Sequence, residues 1–284
     1  MFIEFKNENG TFLINGNSTA KLLSVEGVGL PSKTFNVVSY EGQPGQITLS
    51  ETDGFRTITM SFDFDGDKFA AESLYKILYK PVEISFISGS VRRKTTGRVS
   101  DMSDLQQVIL GQMWTAAIQF TCDSPYFEDL ADTSVDVFGR ENHLPNYYVD
   151  TEPKIQLPVV ATTRFTEKNI RNSGDIDLYP IITIVNNGTA ASGNIVITNM
   201  TTSQTLKINR ATPIGGKVII DIANRRIYDG DGQNLLGYLD NDTLLKNFKL
   251  VQGENNMVVS ESTSTNAQLQ CTVTFKNIFL TAVI

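Results

Sequence analysis

Apolar side chains in this 284-residue chain recur at every second position, the spacing of a strand with one buried face rather than of a helix. Ile58, Met60, Phe62 and Phe64 alternate with Thr57, Thr59, Ser61 and Asp63. The same pattern returns in Val82, Ile84 and Phe86, in Trp114, Ala116, Ile118, Phe120 and Cys122, and in Leu269, Cys271, Val273 and Phe275. Polar or turn-forming residues bound each run. One segment departs from it. After Asp67, an expected N-cap, Ala70, Leu74, Ile77 and Leu78 fall at helical spacing, with Lys76 and Lys80 in the last turn before Pro81. The expected class is therefore all-β with one helix, the helix packed on a sheet or sandwich of the first half.

Between Glu26 and Glu51, Gly27, Gly29, Pro31, Gly42, Pro44 and Gly45 punctuate a stretch that carries Phe35, Val37, Val38 and Tyr40. This reads as an extended arm or hairpin, whose apolar residues are covered either by their own domain or by a neighbouring subunit. From Asp123 to Asp136 five acids occur without a base, and no period is sustained through His143, Pro145 and Pro153. Two domains are expected, residues 1–135 and 151–284, joined by a linker at 136–150. Of the 22 asparagines, 17 follow residue 135. Short strands are expected at 181–185, 194–198, 206–209, 217–222, 247–250, 257–259 and 269–275, a density that implies a second sandwich of jelly-roll or lectin type.

Little in the chain offers catalysis. There is one histidine, His143, and two cysteines, Cys122 and Cys271, both at core-facing positions of strands. Histidine triads and multi-histidine metal sites need more than this. Asp229-Gly-Asp231-Gly opens like a calcium loop, but Asn234 and Asp240 stand where an EF-hand needs glycine and glutamate, so a surface turn is expected. Asp63, Asp65 and Asp67 end a strand and begin the helix. Arg92-Arg93-Lys94 beside Ser88-Gly89-Ser90 is expected to be a solvated turn. Neither a catalytic residue nor a cofactor or metal site is assigned. A net charge of -7 opposes sequence-independent binding to phosphate backbones. The uncharged stretches 105–122 and 178–206 are too polar to span a membrane. Glu4 and Glu8 interrupt what a secretory signal would need, and the four Asn-x-Ser/Thr sites, at Asn17, Asn187, Asn199 and Asn241, are expected to be incidental.

The order of these elements resembles a known family. The arm, the strand opening Arg56-Thr-Ile-Thr-Met-Ser-Phe, the helix ending at Pro81 and the close Phe120-Thr-Cys-Asp-Ser-Pro-Tyr-Phe127 resemble the N-terminal domain of siphophage distal tail proteins. Asn172-Ser-Gly-Asp175 with Tyr179-Pro180-Ile181, Ile220-Asp221-Ile222 before Arg226-Ile227-Tyr228, and Phe248-Lys-Leu-Val-Gln-Gly253-Glu-Asn255 resemble the family's C-terminal domain.

That resemblance implies a non-enzymatic hub of the phage tail tip or baseplate. In the family an N-terminal split-barrel or β-sandwich domain forms a homohexameric ring, one ring or two stacked, and a galectin-like sandwich follows it. The implied partners are other copies of the chain, the major tail tube protein, a tail-associated lysin or tail fibre protein, and a receptor-binding protein, with a host cell-wall saccharide as a further candidate. The implied place is the virion tail tip, after assembly in the host bacterial cytoplasm. Phe35, Val38, Tyr40 and Pro44 become candidate subunit-interface residues. The alternative is a carbohydrate-binding module for cell-surface adhesion. Its second domain would stack sugars on Tyr147, Tyr148, Tyr179, Tyr228 or Tyr238, since the one tryptophan, Trp114, lies in the first.

Overall fold

A computed structural model of the chain describes residues 1–15, 19–42, 44–66, 68–109, 113–138, 165–261 and 269–282. His143, Tyr147, Tyr148 and Asp67 lie outside the described residues. In chain order the elements are β1 (Phe2–Asn7), β2 (Gly10–Ile14), β3 (Ala20–Glu26), β4 (Lys33–Val38), β5 (Ile47–Asp53), β6 (Arg56–Asp65), α1 (Lys68–Leu78), β7 (Val82–Ser88), β8 (Val91–Met102), β9 (Gln106–Ile109), β10 (Met113–Cys122) and β11 (Phe127–Asp129). They continue with β12 (Thr133–Phe138), β13 (Phe165–Asn172), β14 (Ile181–Asn186), β15 (Ile195–Asn199), β16 (Gln204–Ile208), β17 (Lys217–Asp221), β18 (Arg226–Asp229), β19 (Gly253–Glu261), β20 (Leu269–Phe275) and β21 (Ile278–Phe279). Among the described residues the fold is nearly all-β with one helix, as the alternation predicts.

The chain divides into two units, the first comprising Met1–Ala131 with Ile278–Ile284 and the second Asp132–Asn277. The expected linker begins inside β12, which pairs with β20 in the second unit, and its residues 139–150 lie outside the described residues.

In the first unit an antiparallel sheet runs β2-β1-β7-β8-β10-β6-β3, with β9, β11 and β21 attached beside it. The inward face of every alternating strand meets in one aromatic core, where Phe5 lies 5.2 Å from Phe120 and 6.1 Å from Phe62. α1 buries Ala71, Leu74, Ile77 and Leu78 in that core. Ala70 is only partly buried, and Lys80 lies beyond the helix end. The helix ends before Pro81 as expected, and its last carbonyls are capped from elsewhere in the sequence. In the β1–β2 turn, Asn7 donates its amide to the Ile77 carbonyl and Asn9 to that of Lys76, both at 2.7 Å, satisfying carbonyls that have no partner within the helix.

The basic run is not a solvated turn. Gly89 makes the turn with φ +60°, and Arg92–Lys94 already belong to β8. Lys94 pairs with Glu83 at 2.7 Å across the hairpin, and Arg93 is engaged by the end of the chain, as described below.

The second unit is a sandwich of two antiparallel sheets, ordered β12-β20-β14-β17-β18 and β13-β19-β15-β16. Residues 247–250 were expected as a strand. They instead follow a short 3-10 turn at Leu245–Asn247 and make a single bridge, Leu250 to Leu178. Asn172, Asn186 and Asn199, the last residues of β13, β14 and β15, are fully buried. Each accepts from the backbone N–H two residues on and donates its amide to backbone carbonyls across the loop. A side chain with both a donor and an acceptor can turn a chain at a strand end while leaving no buried backbone group unpaired. Such positions explain part of the asparagine enrichment.

Candidate functional site: the arm and its buried root

β4 and β5 form a two-stranded sheet that, among the described residues, is hydrogen-bonded to no other strand. In the middle of this hairpin Phe35 is 53%, Tyr40 56%, Ile47 54% and Leu49 60% exposed. Pro44 is exposed and Val38 half-buried. The arm expected from glycine and proline spacing is thus present, and its apolar side chains are not folded back onto the first unit. Val37, Ile47 and Leu49 join the four expected residues. In β5, Ile47 and Leu49 alternate with Thr48 and Ser50, a period-two pattern readable from the sequence. A two-stranded ribbon in water is marginal by itself, and contiguous exposed apolar area of this kind marks an interaction site.

The root of the arm is as fixed as its tip is bare. Arg56, the first residue of β6, points inward among the alternating apolar positions and is 3% exposed. Its Nη1 donates to the carbonyls of Gly27 at 2.5 Å and Gly29 at 2.8 Å, its Nε to Pro125 at 2.7 Å, and its Nη2 to Leu280 at 2.8 Å. The guanidinium also stacks 4.4 Å from the Phe127 ring. Burial lowers its pKa, but an arginine remains charged, and the rigid fork meets all four carbonyls at once. Gly54 N–H donates to Ser32 at 2.7 Å and closes the base of the hairpin. The Tyr126 hydroxyl donates to the Asp53 carboxylate, a hydrogen bond that, with burial, pushes the phenol pKa up to about 12. Gly27 has φ +81°, and a Cβ there would collide with the Thr57 carbonyl. Sequence reasoning missed Arg56. The signal available was a charge in phase with Ile58, Met60 and Phe62.

Elsewhere the expected sites hold no reactive arrangement. Asp229 accepts from the N–H groups of Asp231 and Gln233, so its carboxylate builds the turn, and Asp63 accepts from the Thr115 hydroxyl at 2.5 Å. Among the described residues, no cluster of three metal-ligating side chains occurs. Burial pushes the thiol of Cys122 up to about 11 and that of Cys271 up to about 12, the opposite of what a nucleophile needs. Trp114 is partly buried and donates to the Gly66 carbonyl at 3.0 Å. In the second unit a cavity of about 160 Å³ is lined by Arg210, Thr212, Lys217, Asp229 and Leu235 among others. Tyr179 and Tyr238 are about half exposed, but one face of Tyr238 is taken by the Arg210 guanidinium, 5.2 Å from the ring centre.

Known proteins decide the lineage. Residues 173–279 match the family model described as "Siphovirus-type tail component, C-terminal domain". That stretch is similar in sequence to the siphovirus-type tail components. The likeness in fold extends over almost the whole chain. The crystal structure of SPP1 Dit (gp 19.1), a protein described as a paradigm of the hub adsorption apparatus in phages infecting Gram-positive hosts, superposes with TM-score 0.64 at 15% identity, covering 91% of this chain and 93% of that one. The phage P2 baseplate in its activated conformation, solved with Ca and with Sr, gives TM-score 0.50 at 10% identity over 96% and 97% of the two chains. No curated protein matches in sequence. The resemblance to siphophage distal tail proteins is borne out, and with it a structural role in a phage tail.

Proposed function

We propose that this tail component is the hub of the tail tip, a homohexameric ring in which the arm of each copy crosses to its neighbour. The observation that carries this is the hairpin, whose exposed Phe35, Val37, Tyr40, Ile47 and Leu49 are left open to solvent by the described residues of their own unit, in a chain similar to siphovirus-type tail components. A head-to-tail contact repeated around a closed ring buries every arm and leaves none unpaired. The first unit forms the ring, and the ring joins the tail tube to a tail-associated lysin or fibre protein and a receptor-binding protein. The second unit is the galectin-like sandwich. The protein acts by assembly rather than catalysis, reaches the virion from the host cytoplasm and serves attachment and DNA passage. Native mass spectrometry with negative-stain imaging tests the ring: six-copy rings are expected at micromolar concentration, and a strict monomer at high micromolar overturns the reading.

A second reading, saccharide binding by the sandwich, draws on the exposed Tyr179. Glycan-array binding that is lost on Tyr179→Ala supports it, and absence of binding removes it.

A further inference from the structure

The last residues of the chain lie against the arm's root, not in the sandwich that precedes them. β21 pairs with β11 through Phe279–Phe127 and Ile278–Glu128. Phe279 and Ala282 enter the core of the first unit. Arg93 donates to the Thr281 carbonyl at 2.8 Å and stacks 3.8 Å from the Phe279 ring. Two further bonds reach the arm. The Leu280 carbonyl takes the Nη2 of Arg56, whose Nη1 holds Gly27 and Gly29. The Ala282 N–H donates to the carbonyl of Val28 at 2.9 Å. Three successive carbonyls at the incoming side of the arm are therefore held from one place, two by Arg56 and the middle one by the closing segment. Arg56 also begins β6, just past the arm's outgoing side.

We infer that the closing segment, 278–282, is a positioning element for the arm: it locks the hairpin's root in the direction required for contact with the next copy. The physical reason is the number of independent ties. Without the segment, Arg56 loses one of its four acceptors, Val28 loses its donor, and the core loses Phe279 and Ala282. The root then keeps its glycines, whose freedom of rotation is the largest of any residue. A ribboned arm on a free root must be ordered at the moment of docking, which costs association free energy that a fixed root has already spent.

This inference rests on the ring reading for its consequence but not for its mechanism, and the test separates the two. The full-length protein is compared with a chain ending at Asn277, with and without a synthetic peptide of residues 276–284. Amide hydrogen exchange is followed at Gly54, whose N–H closes the base of the arm, and in β14 and β20 of the second unit. Self-association is followed in parallel. The expected result is exchange at Gly54 at least about tenfold faster in the shortened chain, unchanged exchange in the second unit, loss of rings, and recovery of both signals with the peptide. Unchanged exchange at Gly54 overturns the inference. If the full-length protein forms no rings but Gly54 responds as expected, the positioning role stands and the ring reading falls. If every amide of the first unit becomes fast in the shortened chain, Ala282→Pro in the full-length protein decides. Removing that one donor should speed exchange at Gly54 several-fold with the rest of the first unit unaffected, and no change there overturns the inference.

Discussion

At the scale of single residues, most consequence attaches to polar groups that the alternation hides. Arg56 occupies a buried phase of β6 and replaces water for four backbone carbonyls. Arg56→Met would leave those acceptors unpaired and is expected to cost the first unit about 3 kcal/mol, read as an earlier denaturant midpoint for probes in that unit. Arg56→Lys should recover only part of this, because an ammonium group cannot match the spread of a guanidinium fork. Asn186, at 0% exposure, gives the corresponding case in the second unit. Asn186→Asp keeps the size and the acceptor for Gly188 N–H but loses both donations to Ala190 and Thr212. A drop of roughly 3 kcal/mol is expected at neutral pH, measured by urea unfolding of the second unit. The two thiols make a prediction about pH. Burial holds both thiols above the ordinary thiol pKa of 9.0 in the folded chain. Above pH 9 the unfolded chain releases thiol protons that the folded chain retains, so stability should be full below pH 9 and fall as pH rises toward 11. Thiol-reagent titration at pH 8 should find neither cysteine reactive until denaturant is added.

At the scale of elements, the hairpin arm and α1 show opposite fates of apolar side chains. α1 hides its stripe in the core, and Leu74→Ala, at a site with 0% exposure, should cost about 3 kcal/mol in thermal or urea unfolding of the first unit. The arm leaves its stripe in solvent. Phe35→Ser with Leu49→Ser is therefore expected to change the stability of the isolated chain by less than about 0.5 kcal/mol while abolishing self-association in native mass spectrometry. A large loss of thermal stability in the monomer would show that the arm packs at home. The helix was readable in the sequence because four apolar residues kept a 3.6 period. Its end before Pro81 was readable too, but the capping of its last carbonyls was not, because Asn7 and Asn9 reach them from some 70 positions away. Residues 247–250 misled for a related reason: Phe248 and Leu250 alternate like a strand, but the pair is buried beside a 3-10 turn and finds only one bridge.

At the scale of the molecule, charge and chain path matter most. The first unit has 16 acidic and 11 basic side chains, net -5, and the second 15 and 13, net -2. A ring built from the more acidic unit would repel a passing phosphate backbone rather than adsorb it. Assembled protein should leave linear duplex DNA unshifted in gels even at low salt, where any basic lumen would retard it. The chain also crosses between units twice, at residue 131 and again at residue 277. The strand that follows the second crossing, β21, is two residues long, too short a run to reveal itself by period.

Local order was written in the sequence. Alternation set the class and most strand positions, glycine and proline spacing placed the arm, and the near absence of histidine and cysteine directed attention from catalysis to assembly. These are properties of neighbouring residues, which a one-dimensional pattern records. The tertiary structure alone decided which distant groups meet: that Arg93 lies under Phe279, that strand-ending asparagines bind across loops, and that the end of the chain is tied to the arm's root near its beginning. Those contacts satisfy backbone groups which burial has cut off from water, and a buried carbonyl takes whatever donor the fold brings to it, however far away in the chain.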